Sequence, residues 1–147
     1  MNELIFQQED PVAAILRLQA VVSKMEQYQP ETTHYFADGM YLRWVFRKAG
    51  TLVIGKVHKK QHFYLVIQGE IEIAGGPDGP KRMKAPAIVV SEPGTKRAVY
   101  ALQDTVCITI HRTDKTDIEE IEKELVEDDP NSMYLAGNTL RALEHQE

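Results

Sequence analysis

The stretch Lys56–Gly69, KVHKKQHFYLVIQG, carries two histidines four residues apart at the start of an apolar run that ends in glycine. Side chains two apart in a β-strand share a face, so we expect Lys56 and His58 to point the same way. His62 joins them if the turn between the two histidines keeps the register. The pattern predicts that a lysine and two histidines face one cavity, which suits either a metal site or a polar pocket without a metal.

Short runs of β-branched and aromatic residues follow one another through the middle of the chain. Segments rich in Gly and Pro, such as KAG, GGPDGP and EPG, separate them. The predicted strands are 41–46, 51–57, 63–67, 70–73, 87–90, 98–101 and 105–110. Seven closely spaced strands with no helix between them predict an antiparallel sandwich or small barrel, because a parallel sheet needs crossover helices.

Helices are predicted on both sides of the strands. Asp10 and Pro11 form a good helix start, and apolar residues at helical spacing extend that helix over 11–28. Thr116 and Glu119 form a capping box that begins a second, acidic helix in TDIEEIEKELVEDD. The chain therefore divides into an amphipathic N-terminal helix at 1–30, a β-barrel at 31–112, and an acidic C-terminal helix with a tail at 113–147.

The tail after Pro130 has few apolar residues. They are Met133, Tyr134, Leu135, Leu140 and Leu143. They form either a short helix that docks on a neighbour or an end that frays.

The chain has 147 residues, of which 43% are hydrophobic and 27% charged, as expected of one folded domain. Its single cysteine, Cys107, excludes an internal disulfide bond, and we expect it to be a buried small hydrophobe. No run approaches the roughly 18 apolar residues of a membrane helix, and the start MNELIFQQEDP does not resemble a secretory signal. We therefore expect a cytoplasmic protein with no membrane partner.

The net charge of −5 hides an uneven distribution. Residues 41–112 hold twelve Lys and Arg against five Asp and Glu, a balance of +7, so the flanks together carry −12. A basic middle suits an anionic ligand; alternatively, the acidic flanks pack over it and neutralise it. The negative total, without a run of aromatics among the basic residues, argues against a nucleic-acid partner.

Aligned on Gly69, the opening stretch resembles the first motif of the cupin superfamily, in which two histidines one residue apart precede a glutamate and, later, a glycine. Lys56 stands at the position of the first histidine, His58 at the second, and His62 at the glutamate. The resemblance implies an all-β fold with flanking helices, a cupin-type antiparallel jelly-roll β-barrel.

The second cupin motif, a proline-glycine turn followed by a histidine, resembles SEPGTKRAVYAL, with Pro93 and Gly94 at the turn. Arg97 stands where the last metal ligand of the family is found. A closer resemblance, over residues 31–126, is to small cupin-like proteins of bacteriophages and prophages, in the runs THYFADGMYLRWVFRKAGTLVIGKVHKKQHF, PGTKRAVYALQDTV and TIHRTDKTDIEEIEKEL. The cupin resemblance implies a homodimer or higher homo-oligomer, and the phage resemblance implies the host cytoplasm as the location.

Two of the four family ligand positions hold cations, Lys56 and Arg97, which disfavour a divalent metal ion. His58 and His62 remain as metal ligands, joined by His34 or His111 if either strand turns that side inward. Such a site would take Fe, Zn, Mn or Ni. No cofactor is certain from the sequence.

The same substitutions suit an anionic small molecule. Lys56, His58, His62 and Arg97 aimed into one cavity would make it positively polarised, and an arginine can hold a phosphate or carboxylate with two hydrogen bonds. Six further basic residues in predicted turns either ring one mouth of the barrel or form a solvated surface: Lys59, Lys60, Lys81, Arg82, Lys84 and Lys96.

Several other side chains have two interpretations. Tyr64 and Tyr100 lie on predicted strands, where an inward phenol contacts a ligand or belongs to the core, and His111 is a further candidate ligand-binding residue. Trp44 alternates with Leu42 and Phe46 and reads as core or as an oligomer face. Arg43 and Arg47 take the opposite face, with an outward orientation as the default and entry into the pocket as the alternative.

Three functions fit these observations. The first is a binding protein that holds an anionic ligand, such as a nucleotide or sugar phosphate, and sequesters a host defence signal. The second is an enzyme, either a metal-dependent oxygenase or hydrolase, or a metal-free isomerase or epimerase with His58 or His62 as the base. The third is a structural or accessory phage protein.

Overall fold

The computed structural model describes residues 10–75 and 79–141, and within these ranges nine strands and two α-helices form. The helices are α1 (Pro11–Val22) and α2 (Ile118–Leu125), followed by a 3-10 turn at Ala136–Asn138. The strands are β1 (Glu31–Ala37), β2 (Met40–Arg47), β3 (Leu52–Ile54), β4 (His62–Gln68), β5 (Glu70–Ala74), β6 (Lys81–Lys84), β7 (Ala87–Ser91), β8 (Ala98–Ala101) and β9 (Thr105–Arg112).

The strands form two antiparallel sheets, one of five strands in the order β1-β2-β9-β4-β7 and one of four in the order β3-β8-β5-β6. The order is not sequential, because the chain alternates between the sheets, as a jelly roll requires. The predicted fold class, an antiparallel jelly roll with flanking helices, is confirmed. The sequence prediction missed β1 and β6, which lie at the sheet edges and pair on one side only. Their side chains are mostly exposed, so they lack the apolar runs of central strands.

Gly69 marks the passage from one sheet to the other, between β4 and β5. Its φ of +82° lies in the left-handed region, and a Cβ there would collide with the backbone carbonyl of Asp104. Only glycine meets both requirements without strain. This explains why the apolar run of the opening stretch ends in glycine.

Helix α1 begins as predicted at Pro11, with the Asp10 side chain accepting a hydrogen bond from the amide of Val12 at 3.1 Å. It ends at Val22 rather than at residue 28. The side-chain amide of Gln27 donates to the carbonyls of Val22 and Met25, both at 2.8 Å, which satisfies acceptors at the end of the helix. The predicted length was therefore wrong for the last turns.

The C-terminal segment packs against α1 and the barrel. Ile15 and Val22 of α1 share one apolar cluster with Met133, Tyr134 and Leu140. The alternative of a frayed end is wrong for residues 131–141, and Leu143 lies outside the described residues. No helix within the described ranges is long and apolar enough to span a membrane.

Helix α2 closes one end of the barrel. Asp117, and not the predicted Thr116, caps it by accepting from the amide of Glu119 at 2.9 Å. Ile121 and Leu125 pack on Tyr41 of β2. The loop before β4 hydrogen-bonds to the end of the helix, and His58 forms an isolated β-bridge with Val126. The acidic flank thus lies directly over the His58 region.

Candidate functional site

Strand register brings polar side chains into rows inside the five-stranded sheet. Residues Tyr41 and His111 pair across β2 and β9, and the next inward pair is Arg43 with Thr109. Tyr64 of β4 pairs with Thr109 on its other side, so the row reads Arg43, Thr109, Tyr64. Two residues further along, the inward pair is Val45 with Cys107, where the apolar core begins. The polar end of the barrel therefore faces α2.

Three histidines meet at this end. The ring centroids of His58 and His62 lie 4.4 Å apart, those of His62 and His111 4.6 Å, and those of His58 and His111 5.8 Å. One ring nitrogen from each lies within 4.8 Å of the others. His58 and His62 come from the loop and strand of the opening stretch, and His111 comes from β9. His34 is not part of the cluster; its Nδ1 lies 2.6 Å from the hydroxyl of Tyr41.

The three imidazoles are neutral at physiological pH. Burial is the main cause, and it lowers the pKa of His58 to about 2, that of His62 to about 4 and that of His111 to about 2. The positive charge of Arg43 lowers all three pKa values further. Each ring therefore offers a lone pair on one nitrogen.

The hydrogen bonding of His62 sets the direction of its lone pair. Its Nδ1 lies 3.2 Å from the carbonyl oxygen of Lys60, which places the proton on Nδ1. Its Nε2 is buried and has no hydrogen-bond partner among the described residues, and the same holds for Nδ1 of His58. Such a backbone carbonyl behind a histidine is the usual support of a metal ligand. Three neutral imidazoles therefore fit a transition-metal ion with open coordination positions.

A cavity of about 80 Å³ lies beside this cluster. His58 belongs to the cluster and also lines the cavity. Three arginines, Arg43, Arg47 and Arg97, line it together with Tyr64. The cavity holds roughly six water-sized volumes at about 10 to 15 Å³ each. Its size suits a small molecule.

Several polar atoms in this cavity wall are buried and have no partner within the described part of the chain. They are Nε of Arg43, Nε and Nη1 of Arg47, the hydroxyl of Tyr64 and the hydroxyl of Thr109. Burial raises the pKa of the Tyr64 phenol above its ordinary value of 10, so it keeps its proton. An unsatisfied buried polar group is costly, so these atoms mark the place where a ligand or ordered water belongs.

Arg97 stands between this cavity and an outer cleft of about 530 Å³, since it lines both. Its guanidinium carbon lies 4.9 Å from the centroid of the Tyr64 ring, and Nη2 donates to the hydroxyl of Ser91. Arg97 therefore lies in the barrel wall between the two cavities.

Lys56 lines the same cavity, but it is already paired, with Nζ at 3.5 Å from Oε2 of Glu122 on α2. Lys59 and Lys60 also contact α2, at the carbonyl of Lys123 and at the carboxylate of Glu124. The acidic helix thus neutralises part of the basic middle.

A ring of basic residues around one mouth, one of the two predicted interpretations, does not form. Lys96 is 1% exposed and pairs with Asp129 at 2.8 Å. Arg82 lies on the edge strand β6 and pairs with Glu72 of β5. Tyr100 is 39% exposed and does not line the cavity.

The default outward orientation of Arg43 and Arg47 was wrong. Both alternate along β2 with side chains of the other face, and Arg47 is only 8% exposed. Trp44 and its neighbours Leu42 and Phe46 take the outer face. Sequence reasoning also missed Thr109 and Glu122. Arg43 and Arg47 lie on the same face of β2 as Tyr41 and Val45, and this alternation was the sequence signal that could have shown them to point inward. A strand with apolar residues on both faces does not reveal which face is inside.

No protein-family model matches this sequence, and no curated protein matches it. Solved structures do match. A conserved protein with a double-stranded β-helix domain from Klebsiella pneumoniae is 16% identical, with a TM-score of 0.52 over 63% of this chain and 80% of its own. Ectoine synthase from P. lautus is 15% identical, with a TM-score of 0.55 over 74% of this chain and 85% of its own.

A DMSP lyase from Ruegeria pomeroyi is 16% identical, with a TM-score of 0.52 over 60% of this chain and 49% of its own. At this level of identity the likeness establishes the fold alone. The chain has the double-stranded β-helix fold, the antiparallel jelly roll of cupin type.

Proposed function

We propose that the barrel binds a small organic anion, with its carboxylate or phosphate held by Arg43, Arg47 and Arg97. The observation that carries this proposal is the buried guanidinium of Arg47, whose Nε and Nη1 have no acceptor among the described residues. A buried cation without an acceptor is strongly unfavourable, so an acceptor is expected from a bound molecule. The described part of the cavity wall contains one carboxylate, Glu122, which pairs with Lys56.

The other unpartnered groups define what else the ligand carries. The hydroxyls of Tyr64 and Thr109 lie in one cross-strand row with Arg43. They suit a hydroxyl or carbonyl oxygen next to the acid group. A small hydroxy or keto acid therefore fits better than a nucleotide, which would need α2 to move or would have to extend past Arg97 into the outer cleft. The sequestration of a host signal by a phage protein would follow only if the recovered ligand is such a signal.

The first experiment identifies the ligand. Native mass spectrometry of protein taken gently from a lysate reports a co-purifying small molecule, and calorimetry against hydroxy acids, keto acids, dicarboxylates and inorganic phosphate measures affinity. Arg47→Met should abolish binding of the preferred anion. Arg82→Met, which removes the same charge from an exposed position, should leave it unchanged. Equal binding by wild type and Arg47→Met would contradict the proposal.

The second candidate is a metal-dependent enzyme, which the convergence of His58, His62 and His111 favours. These residues would hold the ion, and a bound ion would supply Lewis acidity and an activated water. Arg43 and Arg97 would orient an anionic substrate beside it, which fits the sharing of His58 between cluster and cavity. The enzymes among the structural neighbours show that this fold accommodates catalysis, and they do not identify a reaction here.

Metal analysis separates the two candidates. Protein with a bound metal should lose it on His62→Ala and His111→Ala, whereas His34→Ala lies outside the cluster and should retain it. An absence of Fe, Zn, Mn and Ni binding by the wild-type chain would count against the metal-dependent reaction. The remaining enzymatic alternative would then be a metal-free isomerase, in which His58 or His62 acts as the base.

A further inference from the structure

Two guanidinium groups enter the cavity of about 80 Å³, called the arginine cavity below, at different depths. Arg43 and Arg47 share the inward face of β2 and pair across β9 with Thr109 and Thr105. Four residues of an extended strand span about 13 Å between Cα atoms, and strand side chains stand roughly perpendicular to the sheet. The two side chains therefore reach the cavity at separate places along the strand.

The neighbours of each arginine support this separation. Arg43 also lines a small cavity under α2, together with His58 and His111. Burial and then the charge of Arg43 lower the pKa of His111. Arg47 lies near Tyr134 of the C-terminal segment, because burial raises the pKa of Tyr134 to about 12 and the charge of Arg47 opposes that shift. Arg43 thus marks the histidine end of the arginine cavity, and Arg47 marks the end at Tyr134.

Apolar side chains form part of the cavity wall. Val53, Ile54 and Val99 line it. Val45 takes the inward position of β2 between the two arginines and is 4% exposed. A short carbon chain with a polar group at each end matches a cavity of this kind.

The charges of the cavity wall also favour two acid groups. Within the described residues, the charged side chains of this wall are Arg43, Arg47, Arg97, Lys56 and Glu122. Lys56 pairs with Glu122, and Arg97 also faces the outer cleft, where solvent balances its charge. Arg43 and Arg47 each keep a buried nitrogen without an acceptor in the described part of the chain. A single carboxylate meets only one of these two guanidinium groups at the separation that the strand imposes.

We propose that the ligand is a short dicarboxylic acid, with one carboxylate at Arg43 and the other at Arg47. This inference rests on the proposed function and divides its arginines between two acid groups. The cavity admits roughly six to ten non-hydrogen atoms, which suits a dicarboxylate of the size of succinate or glutarate. The unpartnered hydroxyls of Tyr64 and Thr109 favour a hydroxyl on the carbon chain, as in malate.

Calorimetry on the purified full chain, freed of any co-purified ligand, compares diacids with matched monoacids. A methyl group replaces one carboxylate of malate in 2-hydroxybutyrate and the other carboxylate in 3-hydroxybutyrate. The pairs succinate with butyrate and glutarate with valerate repeat the comparison at two chain lengths. Wild type should bind the best diacid at least about 30-fold more tightly than its monoacid, since the monoacid lacks one charge-assisted pair.

Two variants assign the ends of the cavity. Arg43→Met and Arg47→Met should each lose the preference for the diacid. Each hydroxybutyrate should lose affinity in only one of the two variants, because it occupies only one of the two arginines. Arg82→Met is the matched control, since it removes the same charge from an exposed position and should keep the full preference.

Monoacids that bind wild type within about threefold of their diacids would overturn this inference and leave anion binding itself intact. Inorganic phosphate that binds as tightly as the best diacid, or a monoacid that loses affinity equally in both variants, would also overturn it, because the arginines would then converge on one group. Binding of none of these anions would contradict the proposed function, and this inference with it. The comparison on wild type decides the question even if a variant fails to fold.

Discussion

The ammonium of Lys56 lies 3.5 Å from the carboxylate of Glu122, so the cavity lysine is held by the helix that covers it. Both side chains are mostly buried, at 14% and 21% exposure. Glu122 also lines the arginine cavity, where its negative charge opposes an anionic ligand. Glu122 therefore offsets the positive charge of Lys56 in the cavity wall and lowers the net positive charge that a ligand meets.

Glu122→Gln should bind the preferred anion about three- to tenfold more tightly, because it removes a nearby like charge and frees Lys56. Calorimetry measures the change. Glu120→Gln alters the chain by the same charge from an exposed position on α2 and should have no effect. An equal gain in both variants would show that only the total charge matters.

Arg47→Met should stabilise the ligand-free protein while it abolishes anion binding. The buried Nε and Nη1 of Arg47 lack acceptors among the described residues, and removing such a group typically recovers about 1 to 3 kcal/mol. Urea unfolding of protein that native mass spectrometry shows to be ligand-free measures this. A less stable Arg47→Met would mean that the guanidinium is satisfied within the protein, and Arg82→Met controls for the loss of charge.

Acid should destabilise the metal-free protein beginning near pH 6.5. The unfolded chain takes up protons on its histidines near their ordinary pKa of 6.5, whereas the folded chain resists until the much lower pKa values of His58, His62 and His111 are reached. Stability from these residues is thus complete above pH 6.5 and falls as the pH decreases toward 4 and below. Each histidine contributes at most about 1.4 kcal/mol per pH unit.

The check is urea unfolding from pH 7.5 to 4.5 in the presence of a chelator. His58→Gln should reduce the slope by roughly a third, because it removes one of three comparable groups. Burial also lowers the pKa of His34, but this residue is only half-buried and lies outside the cluster, so His34→Gln should change the slope less than His58→Gln does. A stability that is flat across this range would contradict the neutral state of the cluster.

Lys96→Met should cost about 2 to 4 kcal/mol in the free energy of unfolding, because it leaves Asp129 without its counter-charge. Lys96 is 1% exposed and also donates to the carbonyl of Gly55 at 2.9 Å, while Asp129 accepts from Gln19 at 3.3 Å. The double variant Lys96→Met with Asp129→Leu should recover most of the loss. Lys60→Met breaks an exposed ion pair with Glu124 and should cost less than about 1 kcal/mol.

Local sequence patterns correctly predicted much of the secondary structure. Most strands were predicted from apolar runs between glycines and prolines, and Gly69 and Pro11 mark element ends as expected. The edge strands β1 and β6 were missed, because a strand that pairs on one side carries little apolar signal. The end of α1 was misplaced, because Gln27 folds back on it.

The candidate site was predicted less completely. Motif spacing predicted that Lys56, His58, His62 and Arg97 face one cavity. Lys56, His58 and Arg97 line it, whereas His62 lies in the adjoining histidine cluster, and the orientation of Arg43 and Arg47 needed the structure. Both faces of β2 carry large side chains, and period-two alternation does not say which face is inside. Lys96, read as a turn lysine, is buried because Asp129 lies beside it, 33 residues later in the chain.

From the sequence by itself, strand periodicity and helix starts predicted an antiparallel sandwich or small barrel with two flanking helices, and the resemblance in motif spacing implied the jelly roll and the shared site of His58 and His62. These patterns are local properties of the chain. Only the tertiary structure decided which side chains share the cavity. His111 joins His58 and His62 through the register of β9, and Glu122 meets Lys56 because α2 folds over the barrel end. Contacts between distant segments depend on the summed packing of the whole chain, and no short stretch encodes them.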